Sequence, residues 1–297
     1  MTIPPGVDAA VARLWPGRDA ELSVLGGGIT NHNVKVEFAD GTSYVLRVAG
    51  KDTDLLGIDR HAEHLATRIA ATVGVGPEVV AFLEPEGWLV TRFVAGVIPP
   101  LERMREPEQL DRVARSLRVV HAGPPLTTRF DSFRVVETYR ATAAARGTDA
   151  PARLDPAWET ARLIEAARGH VERRPCHNDL LNANFIDDGL GLRIVDWEYA
   201  GMGDVFFDLA NFAVNHGLDE AGRAALLDAY FTGSPPPGAA ESLELMRFMS
   251  DFREAMWGVV QSAVSELDFD FGAYADEHAE RLEQTAAEPG FRAALAR

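Results

Sequence analysis

His177-Asn178-Asp179-Leu180-Leu181-Asn182-Ala183-Asn184 is followed, beyond a Gly- and Asp-rich interruption, by Ile194-Val195-Asp196-Trp197-Glu198-Tyr199. Asn184 stands five residues past Asp179, and Asp196 seventeen past it. This order of residue types suits transfer of a phosphoryl group from ATP to a hydroxyl. In that chemistry one carboxylate accepts the substrate proton, while an amide and a second carboxylate hold magnesium on the nucleotide phosphates. Any of these polar residues alone reads as a loop cap or a strand end. Together and in order, they make Asp179 the candidate base and Asn184 and Asp196 candidate metal ligands. His177 is expected to brace the loop backbone.

The intervening Phe185-Ile186-Asp187-Asp188-Gly189-Leu190-Gly191-Leu192-Arg193-Ile194-Val195 places two short apolar runs about a Gly/Asp turn, a hairpin signal. A three-residue loop from Gly189 to Gly191, with Gly191 left-handed, sets Asp188 opposite Leu192. The same register sets Asn184 opposite Asp196. Directly opposed residues share a face, with β-carbons roughly 5 Å apart. An amide and a carboxylate are therefore expected together at the hairpin's open end, where a hard cation takes oxygen ligands.

The flanking sequence divides in character. Up to about Phe93 it reads as strands at Glu21–Leu25, Asn33–Phe38, Tyr44–Val48, Glu78–Phe82 and Trp88–Phe93, with one main helix carrying Ile58, Ala62, Leu65, Ala66 and Ile69 at helical spacing. Beyond Gly96 helices are expected at Gln109–His121, Ala157–Ala167, Asp204–Asn215, Ala221–Phe231, Ser242–Glu266 and Tyr274–Ala287, punctuated by proline pairs and triplets. The expectation is an α+β, bilobal molecule. Residues 1–93 form a small five-stranded nucleotide-binding lobe, and residues 94–297 a larger, mostly helical lobe for catalysis and acceptor binding. Nucleotide is expected in the cleft between them.

In the small lobe, the glycine triplet ending at Gly28, with Thr30, Asn31 and Asn33, would cover phosphates with backbone N–H groups and short polar side chains. Arg47 on the third strand and Glu63 on the helix would form a cation–carboxylate pair reaching the phosphates. Arginine's planar fork suits phosphate, although it is not interchangeable with lysine.

Composition narrows the field. Of 297 residues, 46% are hydrophobic and 25% charged, the profile of a globular chain. A net charge of -16 repels phosphate backbones, which argues against nucleic acid, and steers cationic ligands inward. No apolar run reaches the roughly 18 residues that a membrane span needs. The N-terminus, Met1-Thr2-Ile3-Pro4-Pro5-Gly6, shows no secretory signal. The single cysteine, Cys176, excludes an intrachain disulfide and suits a reducing cytoplasm. Oligomeric state is not legible.

The H-x-D-x-x-x-x-N spacing matches the catalytic loop of the protein-kinase superfamily, with Asn178 in place of the usual arginine. Gly27-Gly28-Ile29-Thr30-Asn31, Tyr44-Val45-Leu46-Arg47-Val48, and Ile58-Asp59-Arg60 with Glu63 resemble the choline/ethanolamine kinase branch of the aminoglycoside-phosphotransferase-like superfamily. So do the two catalytic segments, Gly203-Asp204 through Phe207-Asp208-Leu209-Ala210, and Trp257 to Leu267. The resemblance implies a protein-kinase-like bilobal fold, ATP with Mg2+, and a small cationic alcohol as acceptor, choline or ethanolamine first. It also implies that Asp208 braces the catalytic loop and that Asp204 caps a helix.

A quaternary ammonium needs aromatic faces and negative charge. Glu198, Tyr199, Trp257, Phe271 and Tyr274 are the acceptor-site candidates. Trp257-Gly258 resembles the family's Trp-Gly-x-Trp element, with Val260 at the second tryptophan's place. Thiamine is an alternative acceptor. An aminoglycoside is another, for which Asp268, Asp270, Asp276 and Glu277 would supply carboxylates. Remoter alternatives are a pseudokinase and a metal-dependent hydrolase built on His177, Asp179, Asp196 and His216.

Overall fold

A computed structural model describes residues 2–26, 31–50, 53–265 and 267–297. Helix α1 (Val7–Leu14) precedes strands β1 (Ala20–Leu25), β2 (His32–Phe38) and β3 (Ser43–Val48). Helix α2 (Arg60–Thr72), β4 (Val79–Leu83) and β5 (Trp88–Arg92) complete an antiparallel five-stranded sheet of order β1-β2-β3-β5-β4. Alternation sets its faces: Val34, Val36 and Phe38 point into the core while their neighbours stay half exposed. Helix α1, which the sequence did not announce, lies under that face with Val7, Ala10 and Val11 buried.

Helix α2 starts at Asp59, whose carboxylate accepts the His61 and Ala62 N–H groups at 2.9 and 3.1 Å. Its inner face belongs to the larger lobe's core: Ala66 and Ala70, with Leu56, Ile58 and Val75 around it, pack there. The turn after α2 is stitched to the hairpin that ends at Ile194, whose N–H donates to the Val75 carbonyl at 2.9 Å.

The remainder is mostly helical. α3 (Leu101–Met104), α4 (Pro107–His121), α5 (Ser132–Ala145) and α6 (Asp155–Arg168) precede β6 (Arg174–Cys176), the hairpin β7 (Phe185–Asp187) and β8 (Leu192–Ile194), and β9 (Gly201–Gly203). Then follow α7 (Val205–Asn215), α8 (Glu220–Tyr230), α9 (Ala239–Val264), α10 (Phe271–Ala287) and α11 (Pro289–Leu295). Among the described residues no helix is long and apolar enough to cross a membrane. α9 is buried almost all round from Leu243 to Gln261 and is the hub on which α5, α7 and α10 pack. Gly258 permits the α10 approach: a Cβ there would sit 2.9 Å from the Phe271 carbonyl oxygen.

The connector between lobes is fastened to the hairpin. Val97 and Asp187 exchange backbone hydrogen bonds at 3.0 and 2.8 Å, and Arg112 grips the Asp187 carboxylate at 2.7 and 2.9 Å. A Cβ on Gly96 would lie 2.4 Å from the Asp187 carbonyl oxygen, so only glycine fits this crossing.

Candidate active site

The hairpin register differs from expectation by one residue. Phe185 pairs with Ile194 and Asp187 with Leu192, and Val195 N–H donates to the Asn184 carbonyl at 2.9 Å. Asn184 therefore stands opposite Val195, not Asp196. The turn is one residue longer than expected: Asp188 N–H donates to the Gly191 carbonyl, and the left-handed glycine is Gly189, at φ 81°. A slip of one would separate the two candidate ligands if both lay on strands. Neither does. Asn184 closes the short 3-10 turn Asn182–Asn184, and Asp196 leaves β8 with φ 67°. Both line one cavity of about 330 Å3, together with Asn33 and Arg47.

Asp179 is held from behind. Asp208, fully buried on α7, accepts the His177 N–H at 2.8 Å and the Asn178 N–H at 2.6 Å, and takes His121 Nε2 at 3.0 Å. These bonds hold Asn178 at φ 67°, a conformation asparagine tolerates better than most residues. His177 Nδ1 accepts the Asp179 N–H at 3.2 Å, and its Nε2 donates to the Val195 carbonyl at 3.0 Å, so its ring ties the loop to the second ligand segment. Burial lowers its pKa, consistent with a neutral brace. Asp204 caps α7 through the Phe206 N–H at 3.0 Å and also pairs with Arg168. Cys176 is buried and its thiol is pushed well above its ordinary range, first by burial, so it is no nucleophile.

Asn184 Nδ2 donates to the Asp179 carbonyl oxygen at 2.8 Å and lies 3.4 Å from its carboxylate. That orientation leaves the amide oxygen for a cation. Burial first, then Glu254, Asp196 and Glu198, raises the Asp179 carboxyl above its usual range against the opposing Arg253 guanidinium.

The small lobe contributes a charge network. Arg47 lies 3.2 Å from Glu63 and 3.3 Å from Glu198, and it contacts Asp196 directly. Burial works against its charge, but the three carboxylates outweigh that and hold its pKa above the ordinary arginine value. Arg60, part of the Ile58-Asp59-Arg60 segment but given no role from the sequence, bridges Glu63 at 2.6 Å, Glu198 at 3.3 Å and the Asn31 amide oxygen at 2.8 Å.

Asn31 is drawn into this network. Its amide nitrogen donates one N–H to Glu198 at 2.8 Å and its oxygen accepts from Arg60, so the side chain is oriented by these two partners. Glu198, expected to face the acceptor, is here a buried partner of Arg47, Arg60 and Asn31. Burial and then the Asp196 charge push its carboxyl upward against Arg47. Asn33 sits directly across from Arg47 on β2 and β3 and faces the cavity. Gly28 and Thr30 lie outside the described residues.

The aromatic candidates pack on one another and are linked to Asp179 through Arg253, which lies over Tyr199. Trp257 Nε1 donates to the Tyr199 hydroxyl at 3.0 Å, and the Trp257 ring meets Tyr274 at 5.4 Å and Phe271 at 5.8 Å, both nearly edge-on. Phe271 is buried on the α9–α10 seam. Two unanticipated residues stand among them. Arg253 is 1% exposed, lies 3.4 Å from Asp179 and donates to the Asn178 carbonyl at 3.2 Å. Glu254 pairs with it and accepts the Tyr274 hydroxyl at 2.8 Å. Adjacent charges inside the otherwise apolar Phe252–Trp257 run were the available signal.

His216 does not join the site: its Nδ1 donates to the Phe212 carbonyl at 2.8 Å and its ring stacks on Phe212 at 4.0 Å. Asp270 caps α10, while Asp276 pairs with Arg153 on the surface. A wider depression of about 720 Å3 behind the connector, lined by Arg68, Arg92 and Arg193, contains none of the catalytic candidates.

Residues 21–243 match the phosphotransferase enzyme family. The chain belongs to that family. It is a small-molecule kinase of the kinase-like fold. A choline/ethanolamine kinase family protein from Mesorhizobium loti is 31% identical, with 98% of each chain covered and a TM-score of 0.82. A LicA structure in complex with AMP is 22% identical, with a TM-score of 0.78, 95% of this chain and 96% of that one being covered. Protein LicA of Haemophilus influenzae is 26% identical over 261 residues, which span 84% of this chain and 75% of the relative.

Proposed function

We propose that this kinase transfers the γ-phosphoryl group of ATP to the hydroxyl of a small cationic alcohol of the choline or ethanolamine type. The observation that carries the reading is the grouping of Asp179 with Asn184 by hydrogen bond, beside a cavity that Asn184, Asp196 and Arg47 share. AMP in the similar LicA structure supports a nucleotide there.

In this reading the nucleotide base lies against the apolar wall made by Val45, Leu89, Ile98 and Ile186, near the connector backbone. Arg47 reaches the phosphates, oriented by Glu63. The oxygens of Asn184 and Asp196 fit a hard cation such as Mg2+, which would neutralise phosphate charge when bound. Asp179 orients the acceptor hydroxyl and takes its proton as the new oxygen–phosphorus bond forms. The bond to the departing ADP oxygen breaks, and the proton later passes to solvent. Asp196, Glu198 and Glu254 around Asp179 add negative charge suited to a cationic acceptor.

The test is ADP release with ATP, Mg2+ and a panel of choline, ethanolamine, thiamine and aminoglycosides. Turnover with an amino alcohol, abolished in Asp179→Asn while ATP still binds, is the expected result. ATP binding without turnover on any member would refute the reading, as would an unchanged rate in Asp179→Asn.

A further inference from the structure

The aromatic cluster beside Asp179 already holds a cation. The Arg253 guanidinium carbon lies 4.5 Å above the Tyr199 ring centroid, the position a quaternary ammonium would take on that face. The counter-charge is engaged as well: one Glu254 oxygen faces Arg253 and the other accepts the Tyr274 hydroxyl. Trp257 commits its N–H to the Tyr199 hydroxyl. The box is therefore closed by the chain's own groups.

We infer that Arg253 determines acceptor specificity, excluding quaternary ammonium alcohols and favouring acceptors whose amine carries N–H. The inference deepens the amino-alcohol reading above and rests on it. The physical ground is the difference between the two kinds of cation. A quaternary ammonium has no strong donor and gains mainly from bare π faces and unpaired negative charge. A primary ammonium donates three hydrogen bonds and is satisfied by oxygens. A neighbouring cavity of about 500 Å3, lined by Tyr199, Glu198, Tyr139 and Thr128, presents the Tyr139 and Thr128 hydroxyls as such oxygens, while Glu198 is paired with Arg47 and Arg60. One face of Tyr199 is covered by Arg253.

Arg253 has a second effect. Both its terminal nitrogens lie 3.4 Å from the same Asp179 oxygen, Oδ1. That leaves the other oxygen, Oδ2, for the acceptor hydroxyl, close to Asn184.

The experiment is a series of alcohols differing only in N-methylation: ethanolamine, N-methylethanolamine, N,N-dimethylethanolamine and choline. Each is assayed with the intact enzyme, ATP and Mg2+. The expected result is a fall in kcat/KM of at least about tenfold at the final methyl, mostly in KM. Arg253→Leu, checked for folding by circular dichroism, is expected to narrow that gap by lowering KM for choline. Arg253→Lys, which keeps a cation, is expected to preserve it. Choline used as well as ethanolamine by the wild-type enzyme would overturn the inference and leave the amino-alcohol reading standing. Failure of the whole series with ATP binding intact would overturn both. The wild-type series decides the matter even if Arg253→Leu does not fold.

Discussion

Replacing Asp208 by asparagine is expected to unfasten the catalytic loop without touching any proposed ligand-binding residue. The carboxylate serves three donors, His177 N–H and His121 Nε2 on one oxygen and Asn178 N–H on the other. Asparagine has one acceptor oxygen. Its better orientation keeps the two donors on the first oxygen and turns its own NH2 toward the Asn178 N–H, where the present separation is 2.6 Å. One buried donor is then unsatisfied, costing about 1–3 kcal/mol, and two charge-assisted bonds become neutral, losing about 1 kcal/mol each. Relief from burying a full charge offsets part of this, leaving a net loss of about 3 kcal/mol. With an m-value of about 3 kcal/mol/M, the urea midpoint should fall by about 1 M. Because Asn178 would relax from its left-handed backbone and carry Asp179 with it, kcat should fall more than nucleotide affinity. A midpoint unchanged within about 0.2 M, or a variant with wild-type kcat, would refute the brace.

Arg47→Met should leave Asp196 without its arginine and Glu63 and Glu198 with Arg60 alone, costing about 3 kcal/mol in denaturant unfolding; nucleotide titration should show weakened binding, partly restored in Arg47→Lys. Gly96→Ala must push the connector off the hairpin, given the 2.4 Å approach to the Asp187 carbonyl oxygen; a loss of about 1–3 kcal/mol should appear as a lowered Tm, with nucleotide KM raised. His216 is held neutral by burial, with a pKa of about 4. Its contribution is complete above the unfolded value of about 6.5, and between there and pH 4 each whole step down in pH removes about 1.4 kcal/mol. Unfolding free energies measured across that range should show a shallower pH slope in His216→Gln than in the wild type.

Strands β1 to β5 and helix α2 were legible because alternation in β2 and helical spacing in α2 are local patterns, and the Asp179, Asn184 and Asp196 series could be read in the same way. Local patterns also explain what was missed. The Asp196 backbone turn at φ 67° changes where a side chain points without changing residue order, so register arithmetic erred while convergence survived. Helix α5 carries threonines, arginines and alanines with a weak apolar stripe, and only its Asp131 cap marked it. Arg60 stood in a quoted segment, but its pairing with Glu198 spans 138 positions, and Arg253 reaches Asp179 across 74. No short motif encodes such long-range pairings; for Arg253, an arginine and a glutamate inside an apolar helix were the trace it left.

Helix α2 gives its partners to the first sheet in sequence but much of its greasy surface to the other half. Leu56, Ile58, Ala66, Ala70 and Val75 fill the interior built by the later helices. Splitting the polypeptide after residue 93 would therefore strip the second fragment of its lid and leave the first with a sticky, uncovered flank. Under the proposed reading the two halves would divide the labour of phosphoryl transfer, yet neither is a self-sufficient building block, and any swap of the first half between relatives would have to carry this helix's partners along with it.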